Sequence, residues 1–293
     1  MRRVLLVPLV VLALLAAGCG GDDEGDQGAA ATTSAQSCAK DQLELVDSDQ
    51  LTVGTDNPAY PPWFGGEEKK PWKISNPASG EGYESAVVYA VAEKLGFGRS
   101  DVAWVYVPFN KSFAPGPKSF DFDVNQISFE PNRAKAVDFS ESYYDVNQAL
   151  VANKGTPVAN AKSIADLKDY KLGAQVGTTS YRYITENIKP SKQPSVYDTS
   201  NDVIAALKAK QIDGIVVDLP TAFYIVAAEL PNGTIVGQFP TVGTQEHFGL
   251  VFEKGNALVQ CVNRALRSLR QDGKLAQLQQ EWLADKASAP VLK

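Results

Sequence analysis

From Leu51 onward, short runs rich in β-branched and aromatic residues alternate with longer segments whose apolar residues recur every three or four positions. The short runs predict strands and the longer segments predict helices, and this alternation predicts an α/β fold rather than a β-sandwich. The predicted strands span residues 51–55, 102–107, 122–127, 148–152, 172–176, 214–218 and 248–252. The predicted helices span residues 82–96, 201–210, 221–229 and 256–271.

Residues 1–18 have the features of a lipoprotein signal peptide. Two arginines precede an apolar run over residues 4–17, which is too short to span a bilayer comfortably. The run ends in "LLAAGC", which resembles a lipobox whose cysteine, here Cys19, is acylated. Ala16 stands where leucine is usual, so ordinary secretory cleavage remains the alternative. Residues 19–38 are rich in Gly, Asp, Ala, Thr and Ser and predict a flexible tether.

Apart from Cys19, the sequence has two cysteines, Cys38 and Cys261. Neither lies in a CxxC pair or in another spacing typical of a metal or redox site. Because disulfides persist in the oxidising environment of an exported protein, we expect these two cysteines to be paired. Two unrelated buried thiols are the alternative.

The predicted strands fall into a first group, a middle group and a last group with helices. A Cys38–Cys261 bond would bring the last group back to the first, which makes the first lobe discontinuous and the second an insertion. We therefore predict lobe 1 from residues 39–147 and 247–293, and lobe 2 from residues 148–246. The 293 residues, 44% of them hydrophobic, suffice for two cores.

Several classes of function lack support in the sequence. Without the two signal arginines the formal net charge falls from −6 to −8, and no basic stripe follows, so nucleic acid is not an expected partner. The single histidine, His247, has no H-x-x-x-H partner for zinc and lies near the predicted second lobe crossing, where we expect a structural role. No G-x-S-x-G, Walker or G-x-G-x-x-G motif is present. We expect no metal, no cofactor and no catalytic residue.

Six segments occur in a characteristic order: "VGTDNPAYPPWF", "GYESAVVYAVAEKLG", "ISFEPNRAKAVDFSESYY", "VGTTS", "IDGIVVDLPTA" and "VNRALRSLRQDGKLAQLQQEWL". Over residues 45–285 the chain thereby resembles the type II periplasmic or extracytoplasmic solute-binding proteins of family 3, which serve ABC importers for amino acids. The resemblance implies an α/β fold of two lobes joined by a two-strand hinge. It also implies an amino-acid ligand and the permease of an ABC transporter as partners.

The resemblance further implies how an amino acid is held. Arg133 is expected to clamp the α-carboxylate, because its planar fork matches a carboxylate by two parallel hydrogen bonds. Thr178 and Thr179, where a helix begins after Gly177, are expected to bind the same carboxylate, and Asp218 is expected to accept from the ammonium. A zwitterion would then touch both lobes, so its binding free energy favours the closed state.

Each of these side chains also has an ordinary structural interpretation. Arg133 could be a surface ion-pair partner, Asp218 a helix cap and Thr179 a first-turn hydroxyl.

Aromatic residues in the proline-stiffened loop "AYPPWF" predict a rigid wall for the ligand. Tyr60 is the best candidate to stack on it, whereas Trp63 and Phe64 could equally belong to the local core. Phe113 and Phe109 are further candidates.

The chain departs from the family pattern next to the expected clamp. Asn125 and Gln126 replace small residues before Ser128, which predicts a polar pocket floor and favours a polar ligand side chain. Glu130 and Pro131 replace a usual threonine pair, which leaves the contacts of Ser128 and Glu130 open.

We therefore expect a monomeric lipoprotein on the outer face of the bacterial cell membrane. It would capture a free amino acid by hinge closure and deliver it to an ABC importer. Two alternatives remain at this point: an exported cofactor-free dehydratase on the same fold, and a membrane-anchored amino-acid sensor.

Overall fold

The computed structural model describes residues 37–283 and 288–293. The predicted signal peptide, Cys19 and nearly all of the predicted tether lie outside these residues. Within the part described, no helix combines the length and the apolar character needed to cross a bilayer.

In these residues the chain forms strands β1 (Leu51–Thr55), β2 (Val102–Tyr106), β3 (Phe122–Asp123), β4 (Val137–Phe139), β5 (Tyr144–Asp145), β6 (Gln148–Asn153), β7 (Leu172–Gln175), β8 (Ser195–Tyr197), β9 (Gly214–Asp218), β10 (Gly233–Gln238), β11 (His247–Phe248) and β12 (Val251–Glu253). The helices are α1 (Tyr83–Lys94), α2 (Phe109–Ser112), α3 (Thr179–Tyr183), α4 (Ser200–Lys208), α5 (Leu219–Tyr224), α6 (Leu258–Gln271) and α7 (Lys274–Leu283). The predicted α/β class is confirmed.

The first sheet has five strands in the order β2-β1-β3-β12-β4. Strand β1 is parallel to β2 and β3, and β12 runs antiparallel to β3 and β4. All of β1 is buried, because α1, α6 and α7 contribute apolar residues such as Val87, Leu266 and Leu278 to the cluster around it. The periodic apolar face predicted for residues 82–96 is therefore a core face.

The second sheet also has five strands, in the order β10-β6-β9-β7-β8. Strand β6 is buried along its whole length, because both faces of the sheet are covered. Ala149 and Val151 pack in a cluster with residues of α4 and α5, whereas Leu150 packs with Ile184 and Phe239 in another cluster. A continuous apolar run is what two covered faces require.

Two segments cross between the sheets, and they pair with each other. Strand β5 precedes β6 and strand β11 follows β10, and the two form an antiparallel pair that joins Tyr144 to Phe248 and Asp145 to His247. This two-stranded pair corresponds to the predicted two-strand hinge. The exact lobe boundaries at residues 147/148 and 246/247 stay a prediction.

The C-terminal residues 288–293 lie on the second sheet. The backbone of Gln238 in β10 donates to Pro290 and accepts from Leu292, at 2.8 and 2.9 Å, and Leu292 is buried against Leu150 and Phe239. Lobe 1 was predicted to include these residues, but they pack on the second sheet instead. Their pairing with β10 is a long-range contact that no local pattern in the sequence indicates.

Cys38 and Cys261 form a disulfide bond, with Cα atoms 5.5 Å apart. The bond ties the start of the described chain to α6, and Cys261 itself is buried in the cluster of the first sheet. The predicted pairing is therefore present in the structure.

Candidate functional site

A cleft with a volume of about 370 Å³ lies between the two sheets. It adjoins the carboxyl ends of β1 and β3 on one side and of β7 and β9 on the other, where α/β folds commonly bind ligands. Seven of the predicted site residues line it together: Tyr60, Gln126, Ser128, Arg133, Thr178, Thr179 and Asp218.

Arg133 begins a short 3₁₀ turn after the loop from β3 and is 7% exposed. Its terminal nitrogens donate to the carbonyl oxygens of Ser128 and Gly177, each at 2.7 Å. The ring of Phe113 covers the guanidinium, with 4.3 Å between its centroid and Cζ. Burial lowers the pKa of Arg133, whereas the Glu130 carboxylate opposes this shift. The surface ion-pair interpretation fails because the side chain is buried.

The loop that contains Gly177 joins β7 to α3. Gly177 has φ of 78°, in the left-handed region, and the side chain of Asn110 packs against it so closely that a Cβ would clash. Thr178 is the N-cap residue of α3, and its Oγ1 accepts from the backbone N–H of Tyr181 at 3.1 Å. Thr179 Oγ1 lies 3.4 Å from Ser128 Oγ, which comes from the first-sheet side. The two hydroxyls thus meet in the cleft wall.

Asp218 ends β9 and is half-buried in the cleft. Its Oδ1 accepts from Nε2 of Gln148 at 2.6 Å, and its side chain does not cap α5. Burial raises the pKa of Asp218 to about 8, and the nearby Glu246 carboxylate adds to the rise. The helix-cap interpretation of Asp218 is therefore not realised.

Gln126 lines the cleft floor, but a buried acid holds its side chain. Gln126 has φ of 48°, and its backbone N–H donates to Oε1 of Glu84 at 2.7 Å, while its amide and the hydroxyl of Tyr143 also donate to this carboxylate. Burial raises the pKa of Glu84 to about 7. The Gly-aromatic-acid start of α1, which carries the family resemblance, is the sequence signal for this buried acid.

The predicted aromatic residues take different places. The Tyr60 hydroxyl donates to Asn201 Oδ1 at 2.5 Å across the cleft. Trp63 is 1% exposed and packs in the core, although its Nε1 reaches Thr221 Oγ1 at 3.0 Å. Phe64 and Phe109 line the cleft, whereas Trp63 and Phe113 do not, and ligand contacts of Trp63 and Phe113 stay a prediction.

The sequence analysis missed a hydrogen-bonded network at the hinge. Ser128 Oγ donates to Oε1 of Glu246 at 2.6 Å, and Nε2 of Gln148 lies 3.1 Å from Oε2 of the same carboxylate. Gln148 and Glu246 also line a second cavity of about 420 Å³ on the hinge side. There His247 stacks on Phe129, with centroids 5.5 Å apart, which agrees with its expected structural role.

Among residues 37–283 and 288–293, no group of three or more His, Cys, Asp or Glu side chains could hold a metal ion. The described site therefore offers hydrogen-bond donors, carboxylates and one guanidinium. Such a set can hold a small zwitterion by its two charged ends.

The sequence profile of bacterial extracellular solute-binding proteins, family 3, matches residues 51–285. The ABC transporter glutamine-binding protein GlnH of Bacillus subtilis is 25% identical over 293 residues, covering 97% of this chain and 98% of that protein. A solved ABC uptake transporter substrate binding protein from Streptococcus pneumoniae with bound histidine is 27% identical with a TM-score of 0.64, covering 83% of this chain and 96% of the other.

A third similarity is to the ancestral amino acid-binding protein AncCDT-1, a precursor of cyclohexadienyl dehydratase. It is 26% identical with a TM-score of 0.65, covering 80% of this chain and 95% of that chain. These likenesses confirm the two-lobed α/β fold. Because the profile spans most of its length, this chain belongs to the bacterial extracellular solute-binding proteins, family 3.

Proposed function

We propose that this protein captures a free amino acid in the cleft and delivers it to the permease of an ABC importer. Relatives named for glutamine, cystine and arginine binding support an amino-acid ligand. The observation that carries the proposal is that Arg133, which follows β3 of the first sheet, and Asp218, the last residue of β9 in the second sheet, line one cavity. A zwitterion held by both would connect the two lobes.

Arg133 would bind the ligand α-carboxylate although it already donates to two carbonyls. Each terminal nitrogen of a guanidinium carries two hydrogens, so one hydrogen on each remains for a carboxylate. The hydroxyls of Ser128 and Thr179 lie beside each other in the same wall and would complete this anion subsite. Thr178 would contribute through its backbone N–H, because its hydroxyl caps α3.

Asp218 would accept from the ligand ammonium. Its pKa is raised because it is buried near another carboxylate, so a cation placed beside it would relieve an unfavourable charge. Asp56, Asn125 and Asn201 line the cleft as well, beside apolar residues such as Ile204 and Phe109, and their polar groups would favour a polar ligand side chain.

Closure of the lobes would couple binding to transport. Contacts that cross the cleft, such as Tyr60 with Asn201 and Arg133 with Gly177, join loops of the first sheet to segments of the second. The ligand would contact both Arg133 and Asp218 only in this arrangement, so it would shift the population toward the closed state. We propose that the permease recognises this closed state.

We also propose that the mature protein is a monomer attached to the outer face of the membrane through lipid on Cys19. The sequence "LLAAGC" and the polar residues 20–37 behind it support this anchor. Mass spectrometry of the native N-terminus should find a diacylglyceryl cysteine. An unmodified cleavage product would refute the anchor and leave amino-acid capture untouched.

The capture itself is tested with a soluble form that starts at Gly20. Thermal unfolding is followed with each of the twenty amino acids and with a prephenate-like acid, and ligand consumption is measured in parallel. A rise in melting temperature that fits one ligand per protein, without turnover, supports a binding protein. Turnover would support the dehydratase alternative, and no response to any amino acid would overturn the proposal.

A further inference from the structure

Gln148 begins β6, and its side-chain amide lies between two carboxylates. Nε2 is 2.6 Å from Oδ1 of Asp218 and 3.1 Å from Oε2 of Glu246, so its two hydrogens can serve one carboxylate each. Oε1 of Gln148 accepts from Ser180 Oγ at 2.6 Å, and this bond orients the amide so that its NH₂ group faces the two carboxylates. Because the residue is 3% exposed, this orientation is held firmly.

Glu246 lies on the second crossing between the sheets, just before β11. Its carboxylate accepts from Ser128 Oγ at 2.6 Å as well as from Gln148. It lines the second cavity and not the cleft that contains Asp218. Any effect of Glu246 on a ligand in the cleft would therefore pass through Gln148, through Ser128 or through the electric field.

Two carboxylates in a half-buried region do not both ionise readily unless a cation joins them. Burial is the main cause that raises the pKa of Asp218, followed by Glu246, with Glu84 also raising it. Arg133 acts in the opposite direction. The phenol of Tyr144 also faces Asp218, and its own pKa is raised. Together these effects favour a proton on Asp218 in the unliganded cleft at neutral pH.

We propose that Glu246, held near Asp218 by the amide that both carboxylates share, keeps the ligand-free Asp218 protonated, so that capture of a ligand ammonium releases one proton. This inference rests on the proposed function, in which Asp218 accepts from the ammonium. On binding, the O–H bond of the Asp218 carboxyl group breaks and the proton passes to solvent. The resulting carboxylate accepts hydrogen bonds from the ammonium and from Gln148.

The first test is calorimetry with each of the twenty amino acids at pH 6, 7 and 8, in two buffers that differ in ionisation enthalpy. For an amino acid that binds, the affinity of the wild type should rise by up to about tenfold per pH unit from pH 6 to pH 8, with nearly one proton released at pH 6 and about half a proton at pH 8. Glu246→Gln keeps an acceptor for Ser128 but removes the charge, so it should release fewer protons at pH 7. Equal proton release in the two proteins would overturn the proposal.

Glu186→Gln is the matched control, because Glu186 lines the same second cavity and its ion-pair partner is Arg182. It removes one negative charge there without touching the amide of Gln148. Its proton release should equal that of the wild type. A change as large as in Glu246→Gln would show that any charge at this cavity has the same effect, and it would overturn the specific role of Glu246.

A ligand-free measurement separates this inference from the proposed function. Carboxyl carbon NMR, with the Asp218 signal assigned by its loss in Asp218→Asn, should show Asp218 titrating near pH 8 in the wild type. The midpoint should move to lower pH in Glu246→Gln and stay in Glu186→Gln. If no amino acid binds but these midpoints behave as expected, capture is refuted and the coupling of the two acids stands. An unmoved midpoint in Glu246→Gln refutes the coupling.

Discussion

Arg133 donates a hydrogen bond to the carbonyl oxygen of Gly177 at 2.7 Å, and the two residues belong to loops of different sheets. The same guanidinium donates to Ser128 on its own side at an equal distance. One planar group therefore already connects both walls of the cleft. A ligand carboxylate that uses its remaining hydrogens would strengthen a connection that the protein has formed in part.

Replacement of Arg133 by lysine should reduce affinity for the amino acid found by the thermal panel by more than tenfold. Lysine keeps the charge, but a single ammonium cannot donate to Ser128, Gly177 and a bidentate carboxylate in one plane. Titration calorimetry measures the loss. Arg182→Lys is the matched control, because Arg182 pairs with the neighbouring Glu130 but does not line the cleft.

The melting temperature without ligand is measured on both variants. A moderate decrease is expected for Arg133→Lys, because a buried hydrogen bond is lost. If affinity stays unchanged while stability falls, Arg133 has a structural role alone and the carboxylate subsite is wrong.

Asp218→Asn should lower affinity by about 30-fold to several thousand-fold. A ligand ammonium taken from water would lose its anionic partner, a penalty of roughly 2–5 kcal/mol. Stability without ligand should be preserved, because the asparagine oxygen can still accept from Gln148. Calorimetry and thermal unfolding are compared with Asp169→Asn, an exposed change outside the cleft. Unchanged affinity in Asp218→Asn would place the ammonium elsewhere.

The Cys38–Cys261 bond should dominate the stability of the exported form. In the chain-entropy model a bond across a sequence separation of 223 residues stabilises by about 5 kcal/mol. Thiol titration of unfolded, unreduced protein that starts at Gly20 should find no free thiol. The double variant Cys38→Ser and Cys261→Ser should unfold at a clearly lower denaturant concentration, and equal midpoints would contradict this account.

The strands that sequence patterns predicted best are those whose environment is uniform. β1 and β9 have the predicted bounds, since each keeps one partner strand along its whole length, β2 for β1 and β6 for β9. The predicted strand 248–252 is divided because Phe248 pairs with Tyr144 in the hinge whereas Val251 pairs with Phe139 in the first sheet. Such a change of partner depends on distant segments and leaves no local signal.

The candidate site divides in the same way. Arg133, Thr179 and Asp218 stand at the ends of elements, where side chains face a cleft, and the family motifs mark them. Gln148 lies at the start of a buried strand and Glu246 in a loop 98 residues away, so their contact depends on how the two crossings meet. Tyr60 and Trp63 lie in one loop, and their neighbours in the sequence cannot indicate which of the two rings faces the core. Prediction from sequence therefore stops at the loop.

The buried acid Glu84 makes stability depend on pH in a defined direction. Its pKa in the folded protein is raised from 4.5 to about 7, so the folded state binds more protons than the unfolded state between these values. The stability contribution of this group is therefore fully present below about pH 4.5 and is lost as pH rises through 7. The shift corresponds to about 3 kcal/mol at alkaline pH.

Glu84→Gln removes this titration, so its stability relative to the wild type should rise steadily between pH 5 and pH 8. The comparison cancels the effects of other titrating groups, which both proteins share. Urea unfolding at each pH measures the difference, and Glu93→Gln, an exposed change on the same helix α1, should show none of this pH dependence. The absolute difference in unfolding free energy between Glu84→Gln and the wild type depends on how the new amide contacts Gln126 and Tyr143. The change of this difference with pH does not. Parallel pH curves for Glu84→Gln and the wild type would mean that Glu84 is charged in the folded protein, and that Gln126 and Tyr143 donate to a carboxylate at neutral pH.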